Sequence, residues 1–218
     1  MGCYRRDHIW HCRLGSAAVV KLLDLYCGAG GAAVGYHRAG FDVVGVDIAP
    51  QPRFPFEFYQ ADALTFPLEG FDVVHASPPC QSYSYMSSCR PGLSGTYPDM
   101  IEAVRERLDN SGLPYVIENV PNAPLRADVT LCGHMFDLEL YRHRIFESNR
   151  PLTEPDHPVH IRPGGRAGHW KPGEIISVAG HFAPAAQARK AMGIDWMNRA
   201  ELGEAIPPAY TEWIGSQL

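Results

Sequence analysis

The sequence contains no continuous apolar run of about 18 residues, the length that a membrane-spanning helix requires. Residues 1–16 also lack the apolar stretch of a signal peptide, because charged residues and histidines are scattered through them. None of the six cysteines forms a C-x-x-C pair, and a chain of 218 residues can bury a sizeable core without disulfides. We therefore expect an intracellular, cytoplasmic protein that does not bind a membrane and whose thiols are mostly reduced and inert.

A recognisable metal-binding motif is also missing. Cys3, His8, His11 and Cys12 lie close together in the chain, but their spacing matches no established zinc pattern. We therefore predict no metal site, and we interpret residues 1–17 as a disordered or loosely packed N-terminal extension.

The chain lacks the excess of positive charge that is typical of nucleic-acid-binding proteins, since 19 Lys and Arg residues stand against 24 Asp and Glu residues and the net charge is −5. The charge is uneven, however. Residues 140–190 hold eight basic and four acidic residues, a net charge of +4, which leaves −9 for the rest of the chain. This stretch is either a loop with solvated charges or the phosphate-facing edge of a cleft. In the second case it would contribute Arg162, Arg166 and Lys171 to substrate binding.

Short apolar runs alternate with helical patterns between residues 18 and 149, which we interpret as the core. The runs 18–26, 41–47, 56–60, 71–77 and 115–119 predict strands, and the segments 32–39 and 99–110 predict helices. Continuous apolar strands alternating with helices indicate a parallel sheet covered on both faces. Residues 150–188 are proline-rich and show no long periodic element, so they form an irregular insertion. Residues 189–218 return to the core with one or two helices.

The turn after the first strand reads Tyr26-Cys27-Gly28-Ala29-Gly30-Gly31. Glycines there let the backbone approach a ligand at the start of a helix, where the amides attract negative charge. Asp47 ends the second strand, where a carboxylate can accept hydrogen bonds from ribose hydroxyls. Asp62 would lie beside the adenine of an adenosine ligand, or it is a turn residue. Together these residues indicate a nucleotide-type cofactor site, although a glycine turn without any nucleotide has the same pattern.

Residues with reactive or charged side chains follow two later strands. The fourth strand ends in Pro78-Pro79-Cys80-Gln81-Ser82, where two prolines would hold a nucleophilic thiol in place above the cofactor cleft. The fifth strand ends in Glu118-Asn119, and Arg142 and Arg144 would share one face of an extended segment. Each signal taken alone has a structural explanation: a buried thiol, a surface carboxylate or a solvated strand edge.

The order of these motifs resembles that of the cytosine-5 DNA methyltransferases, which use S-adenosylmethionine. Residues 23–31 resemble the first motif of that family, and Pro79-Cys80-Gln81 resembles its catalytic loop. The family's two cytosine-binding motifs are matched by Glu118-Asn119-Val120 and Arg142-x-Arg144. Its C-terminal motifs are matched by residues 193–208. The resemblance implies a Rossmann-like mixed α/β sheet of the S-adenosylmethionine-dependent methyltransferase type, with helices on both faces. It also implies that the target cytosine is flipped out of the duplex.

The resemblance further implies a set of roles. Cys80 would add to C6 of cytosine, Glu118 would donate a proton at N3, Arg144 would hold O2, and Arg142 would orient the loop or a phosphate. Gln81, Ser82 and Asn119 would contact the substrate. The cofactor, and its product S-adenosylhomocysteine, would be held by Tyr26, Gly28, Ala29, Gly30, Gly31, Asp47, Ile48, Asp62, Ala63, Pro79, Glu204 and Ala205.

The sequence departs from the family pattern at three places. Leu140 stands where the family usually has Gln, and Glu204 where it usually has Asn. The recognition insertion, residues 150–188, is very short for the family. DNA is the expected substrate, with RNA or a free cytidine nucleotide as alternatives, and no obligatory protein partner is evident. The compact form suggests a phage or restriction-modification enzyme. A nucleotide-dependent oxidoreductase or a catalytically silent DNA-binding relative are competing interpretations, but an oxidoreductase leaves Cys80 and Glu118 unexplained.

Overall fold

The computed structural model describes residues 19–81, 83, 99–165, 168–180, 182 and 184–218, and the backbone of residues 3–6 and 9–12. The two N-terminal pieces, β1 (Cys3–Arg6) and β2 (Ile9–Cys12), pair in antiparallel fashion. The interpretation of residues 1–17 as a disordered or loosely packed extension stays a prediction, because the rest of that segment lies outside the described residues. Among the described residues, no helix is both long enough and apolar enough to cross a membrane.

The core of the fold is a seven-stranded mixed sheet. Its strands are β3 (Lys21–Leu25), β4 (Asp42–Asp47), β5 (Glu57–Gln60), β6 (Val73–Ala76), β7 (Tyr115–Asn119), β8 (Val129–Leu131) and β9 (Arg144–Ser148). Their spatial order is β5-β4-β3-β6-β7-β9-β8. Strands β3 to β7 pair in parallel, whereas β9 runs antiparallel to both β7 and β8. The five predicted strands are therefore confirmed, and β8 and β9 complete the mixed sheet.

Helices cover both faces of this sheet. The helices are α1 (Gly31–Arg38), α2 (Ile101–Ser111), α3 (Ala185–Met192), α4 (Arg199–Glu204) and α5 (Pro208–Gly215), with a 3-10 turn at Gly133–Phe136. Helices α1 and α5 pack on one face around Tyr36 and Tyr210. Helix α2 packs on the other face through Val104 and Leu108. Buried strands of this kind need apolar side chains on both faces, which explains their continuous apolar runs.

A close approach joins α1 to α5. A Cβ atom at Gly35 would collide with the Thr211 hydroxyl and the Pro208 carbonyl, so only glycine fits there. The Thr211 hydroxyl donates a hydrogen bond of 2.8 Å to the Ala32 carbonyl across the same contact. The last helix is thereby fixed against the helix that follows the glycine turn, which brings the C-terminal motifs to the site.

The insertion has little regular structure. Among its described residues, we find no strand or helix before α3 apart from a single bridge between Gly164 and Ile175. Ile175, Ile176 and Val178 nevertheless belong to a buried cluster with Leu140 and Met192. Leu140 is 1% exposed in this cluster, so the apolar residue at this position packs in a second, smaller core.

Candidate active site

The carboxyl ends of β3, β4, β6 and β7 meet along one edge of the sheet. Strand β3 lies between β4 and β6, so the chain reverses its direction of winding there. Open α/β sheets bind ligands in the crevice outside such a reversal point. The topology therefore brings the glycine turn, Asp47, the Cys80 loop and Glu118 to one place.

The glycine turn bends sharply after β3. Tyr26, Gly28 and Gly30 all have left-handed backbone conformations, with φ of 59°, 49° and 87°. A Cβ atom at Gly30 would lie 2.8 Å from the Cδ atom of Pro55, so glycine is required there by packing as well as by conformation. The indole of Trp196 donates a hydrogen bond of 2.8 Å to the Ala29 carbonyl and holds the turn from the C-terminal side.

Asp47 fastens this turn to the end of β4. One carboxylate oxygen accepts a hydrogen bond of 3.0 Å from the amide of Gly28, and the other accepts one of 2.9 Å from the amide of Ala49. Each carboxylate oxygen has a further lone pair that can accept a hydroxyl from a ligand. The side chain thus shapes the turn and still faces the crevice.

The crevice is a cavity of about 290 Å³, which we call the first cavity. Nine of the twelve residues that the family resemblance assigns to the cofactor line it: Tyr26, Gly28, Ala29, Gly31, Asp47, Ile48, Pro79, Glu204 and Ala205. Gly30, Asp62 and Ala63 are absent from its lining. Asp62 instead accepts a hydrogen bond of 2.9 Å from the amide of Leu64, in keeping with its interpretation as a turn residue.

Asp24 is a candidate functional residue that the sequence analysis missed. It lies in β3, is fully buried and lines the first cavity. Neither carboxylate oxygen has a hydrogen-bond partner among the described residues. Burial, with the nearby carboxylates of Asp47 and Glu118, raises the pKa of Asp24 well above its usual range. An acid inside an otherwise apolar strand was the one signal that could have identified it.

The Cys80 loop is held by the neighbouring strand. The side-chain amide of Asn119 donates a hydrogen bond of 2.9 Å to the Pro78 carbonyl, so the end of β7 fixes the proline pair. Burial raises the pKa of the Cys80 thiol, while the guanidinium groups of Arg144 and Arg142 lower it. The side chain of Gln81 also faces the first cavity, and its buried Oε1 atom has no partner among the described residues.

Glu118 and Arg144 form an ion pair beside this thiol. Because β9 runs antiparallel to β7, the first residue of β9 lies next to the last residues of β7. Arg144 Nε lies 3.0 Å from Glu118 Oε1, and the two side chains are 14% and 7% exposed. Burial raises the pKa of Glu118, and Arg144 opposes that rise.

The prediction that Arg142 and Arg144 share a face requires an extended segment, and Arg142 does not have that conformation. Its φ of 30° breaks the extended segment before β9 begins. Its guanidinium donates hydrogen bonds to the carbonyls of Val178 and of Gly203, the latter at 2.7 Å. Arg142 therefore ties the insertion to α4.

A second cavity of about 670 Å³ lies on the other side of the thiol. It is lined by residues 120–122 after β7, by 141, 142 and 144, by Gly203, and by residues 164–165 and 175–180 of the insertion. Cys80 and Arg144 line both cavities. The site therefore consists of two cavities that share the Cys80 thiol and the Arg144 guanidinium.

The predicted phosphate contacts have different surroundings. Arg162 donates hydrogen bonds to the carbonyls of Gly173, at 3.1 Å, and Glu174, so its guanidinium stabilises the insertion itself. Lys171 is exposed. Ser82 and Arg166 lie outside the described residues.

The fold is that of solved methyltransferases. A protein assigned as a DNA modification methyltransferase, encoded within an E. coli prophage, matches with a TM-score of 0.62 and 14% identity, over 91% of this chain and 98% of that chain. The S. pombe Dnmt2 methyltransferase matches with a TM-score of 0.58 and 13% identity, over 89% and 96%. The Entamoeba histolytica methyltransferase EhMeth matches with a TM-score of 0.57 and 12% identity, over 91% and 97%. No protein-family model matches the chain, and no curated protein matches its sequence. The predicted fold class, a mixed α/β sheet of the methyltransferase type, is confirmed.

Proposed function

We propose that the protein transfers a methyl group from S-adenosylmethionine to C5 of cytosine in DNA, through a covalent bond between Cys80 and the base. The observation that carries this proposal is the meeting of two cavities at Cys80 and Arg144. A cofactor in the first cavity and a base in the second would be brought together at the nucleophile.

The residues of the first cavity suit S-adenosylmethionine. Asp47 at the end of β4 can accept the ribose hydroxyls. The unpartnered carboxylate of Asp24 offers a buried acceptor to the amino or sulfonium end of the molecule. Tyr26 and Ile48 add apolar surface, and Glu204 adds a further carboxylate at the rim. When bound, S-adenosylmethionine supplies an electrophilic methyl group that the C5 carbon can accept.

The remaining chemistry belongs to the chain. After losing its proton, the Cys80 sulfur adds to C6, which moves an electron pair of the ring toward N3. Glu118 can give a proton to N3, since burial favours its protonated form. Arg144 can donate hydrogen bonds to O2, where negative charge also develops. Once C5 is methylated, N3 returns its proton to Glu118 and C5 loses its own proton to a base. The electron pair of the C5–H bond then forms the C5–C6 double bond and expels the Cys80 thiolate.

Two observations support DNA as the substrate. The basic stretch 140–190 contributes most of the second cavity's wall, so phosphates would lie beside it. The E. coli prophage protein, which shares the fold, is assigned as a DNA modification enzyme. The chemistry itself does not distinguish cytosine in DNA from cytosine in RNA or a nucleotide, so these substrates are outcomes of the test.

The test uses the purified full chain with S-adenosylmethionine and, in separate reactions, duplex DNA, RNA and cytidine triphosphate. Nucleosides are then analysed by mass spectrometry. The proposal expects 5-methyldeoxycytidine from DNA with the wild-type protein and none with Cys80→Ala, which should still bind S-adenosylmethionine in calorimetry. Methylation of RNA or nucleotide alone would overturn the assignment to DNA. Full activity of Cys80→Ala would overturn the covalent mechanism.

A further inference from the structure

Four potential metal ligands converge at a place that is separate from both cavities. They are one cysteine and three histidines: Cys132, His143, His157 and His160. One ligand atom from each lies within 4.8 Å of all the others. None of the four lines the first or the second cavity. We propose that these residues form a structural zinc site that fastens the insertion to the edge of the sheet.

The sheet itself brings the first two ligands together. In the antiparallel pair of β8 and β9, Thr130 faces Ile145 and Leu131 faces Arg144. Cys132 directly follows β8 and His143 directly precedes β9, so one further step of the same register would set them opposite each other. Residues that face each other in such a ladder have side chains on the same face of the sheet. The end of the β8–β9 pair therefore brings a thiol and an imidazole together.

The other two ligands come from the insertion. His157 and His160 lie in a segment for which the structure records no helix or strand, and their rings are 4.8 Å apart. His160 Nε2 lies 3.3 Å from Cys132 Sγ. In a tetrahedral zinc site with one sulfur and three nitrogen ligands, at Zn–N of about 2.0–2.1 Å and Zn–S of about 2.3 Å, neighbouring ligand atoms are about 3.3–3.6 Å apart. The cluster is thus close to the size that a zinc ion requires.

The orientation of this segment is a second, independent observation. Val159 and Ile161, on either side of His160, are 79% and 83% exposed. The chain therefore turns the His160 ring toward Cys132 Sγ and the Tyr141 ring and leaves two large apolar side chains in water. Burying the apolar residues instead would be favourable by about 1.5–3 kcal/mol for each side chain. A favourable interaction of the His160 ring at this position would explain the arrangement, and metal coordination is such an interaction.

A stacked aromatic ring supports the same position. The ring of Tyr141 lies 3.7 Å from that of His160 at an interplanar angle of 15°. The Tyr141 hydroxyl donates a hydrogen bond of 2.7 Å to the Arg162 carbonyl, two residues beyond His160. Outer contacts of this kind orient the rings of metal-bound histidines.

The donor set identifies the metal and the role. One thiolate and three imidazoles, without an acidic ligand, suit zinc, and four protein ligands leave no open position for catalysis. The ion would join β8 and β9 to the middle of the insertion. His143 directly precedes Arg144, so the same ion would also fix the start of the strand that presents this arginine to Cys80.

The experiment measures metal in the untagged full chain, because a histidine tag binds the same metals. After expression with zinc and extensive dialysis, plasma mass spectrometry should find about one zinc ion per chain. His157→Ala removes an exposed ligand, so the variant should fold, and it should lose most of the zinc. Cys132→Ser should do the same. The matched control is His134→Ala, because the ring of His134 lies 6.0 Å from that of His160 but outside the cluster.

Cobalt gives a second measurement that is independent of stoichiometry. The cobalt-loaded wild-type protein should show the visible absorption of tetrahedral Co²⁺ and a near-ultraviolet sulfur-to-metal band, and Cys132→Ser should lose the sulfur band. A zinc content below about a tenth of an ion per chain, together with the absence of a cobalt spectrum, would overturn the proposal. It is also overturned when His157→Ala retains the wild-type zinc content. Neither result bears on methyl transfer, so the two proposals fail separately.

Discussion

Arg144 Nε lies 3.0 Å from Glu118 Oε1, across two strands that run in opposite directions. Both side chains are nearly buried, so their charges interact more strongly than they would in water. Under the proposed function, this pair would offer a hydrogen-bond donor and a proton donor next to Cys80 during attack on C6 of cytosine.

Removal of the Arg144 side chain should therefore impair chemistry more than binding. We expect Arg144→Ala to lower kcat by about 100- to 1,000-fold, the usual effect of losing a donor to a developing negative charge. Loss of the cation should also raise the pKa of Glu118 further, because Arg144 now lowers it. Glu118 would then stay protonated to higher pH, and the alkaline limb of the pH profile of kcat should shift to higher pH.

The matched control is Arg150→Ala, which removes an exposed arginine just after β9. It should retain the wild-type kcat and pH profile. Equal rates for Arg144→Ala and Arg150→Ala would contradict the role given to the ion pair.

Asp24 should make the free protein less stable at neutral pH. Its pKa is raised in the folded state, so the folded protein holds this proton more tightly than the unfolded chain does. Stability is then unaffected below the unfolded pKa of about 4 and falls as the pH rises toward the folded pKa, by about 1.4 kcal/mol for each unit of the shift. Urea denaturation at pH 5 and pH 8 should show Asp24→Asn gaining stability over the wild type as the pH rises. A difference that does not change with pH would contradict the raised pKa.

Asp47 and Asp62, two of the acids assigned to the cofactor, should behave differently. Asp47→Ala removes the acceptor of the Gly28 and Ala49 amides and a carboxylate of the first cavity, so affinity for S-adenosylmethionine should fall by at least about tenfold. Asp62→Ala removes a turn contact outside that cavity and should change the affinity less than about threefold. Calorimetric titration measures both. Equal losses would show that Asp62 contacts the cofactor, as the family resemblance implies.

Arg142 should act through structure. It donates hydrogen bonds to the carbonyls of Val178 and Gly203, and Arg142→Ala would leave both without these partners. We expect a loss of about 1–3 kcal/mol in the free energy of unfolding, measured by urea denaturation. Arg162→Lys should have a smaller effect, because its contacts lie at the surface. A fully stable Arg142→Ala protein would contradict the tie between the insertion and α4.

Much of the site could be predicted because its residues follow directly after apolar strands. Asp47, Cys80 and Glu118 each end or follow such a strand, and the ends of parallel strands converge at one edge of a sheet. The glycine turn was recognisable for the same reason. Pattern and topology together therefore placed Cys80, Glu118 and the glycine turn at one edge of the sheet.

Other features depend on contacts that no local pattern contains. Strand β8 has three residues, and β9 contains charged side chains buried by partners distant in sequence, such as Glu147 with Arg105 at 2.8 Å. Arg142 could be placed only once its positive φ was known. The ligands of the proposed zinc site come from three separate segments, of which the β8–β9 pairing brings two together, and their spacing follows no established motif.

The central claim is that Cys80 bonds to cytosine, and trapping that bond tests it most directly. In DNA containing 5-fluorocytosine, fluorine replaces the C5 proton, so the elimination that frees Cys80 cannot occur. The purified protein, incubated with this DNA and S-adenosylmethionine, should give a complex that survives denaturing electrophoresis and that maps to Cys80 in peptide mass spectrometry. Cys80→Ala should give none. Absence of the complex with an active wild-type protein, or its persistence in Cys80→Ala, would contradict the account.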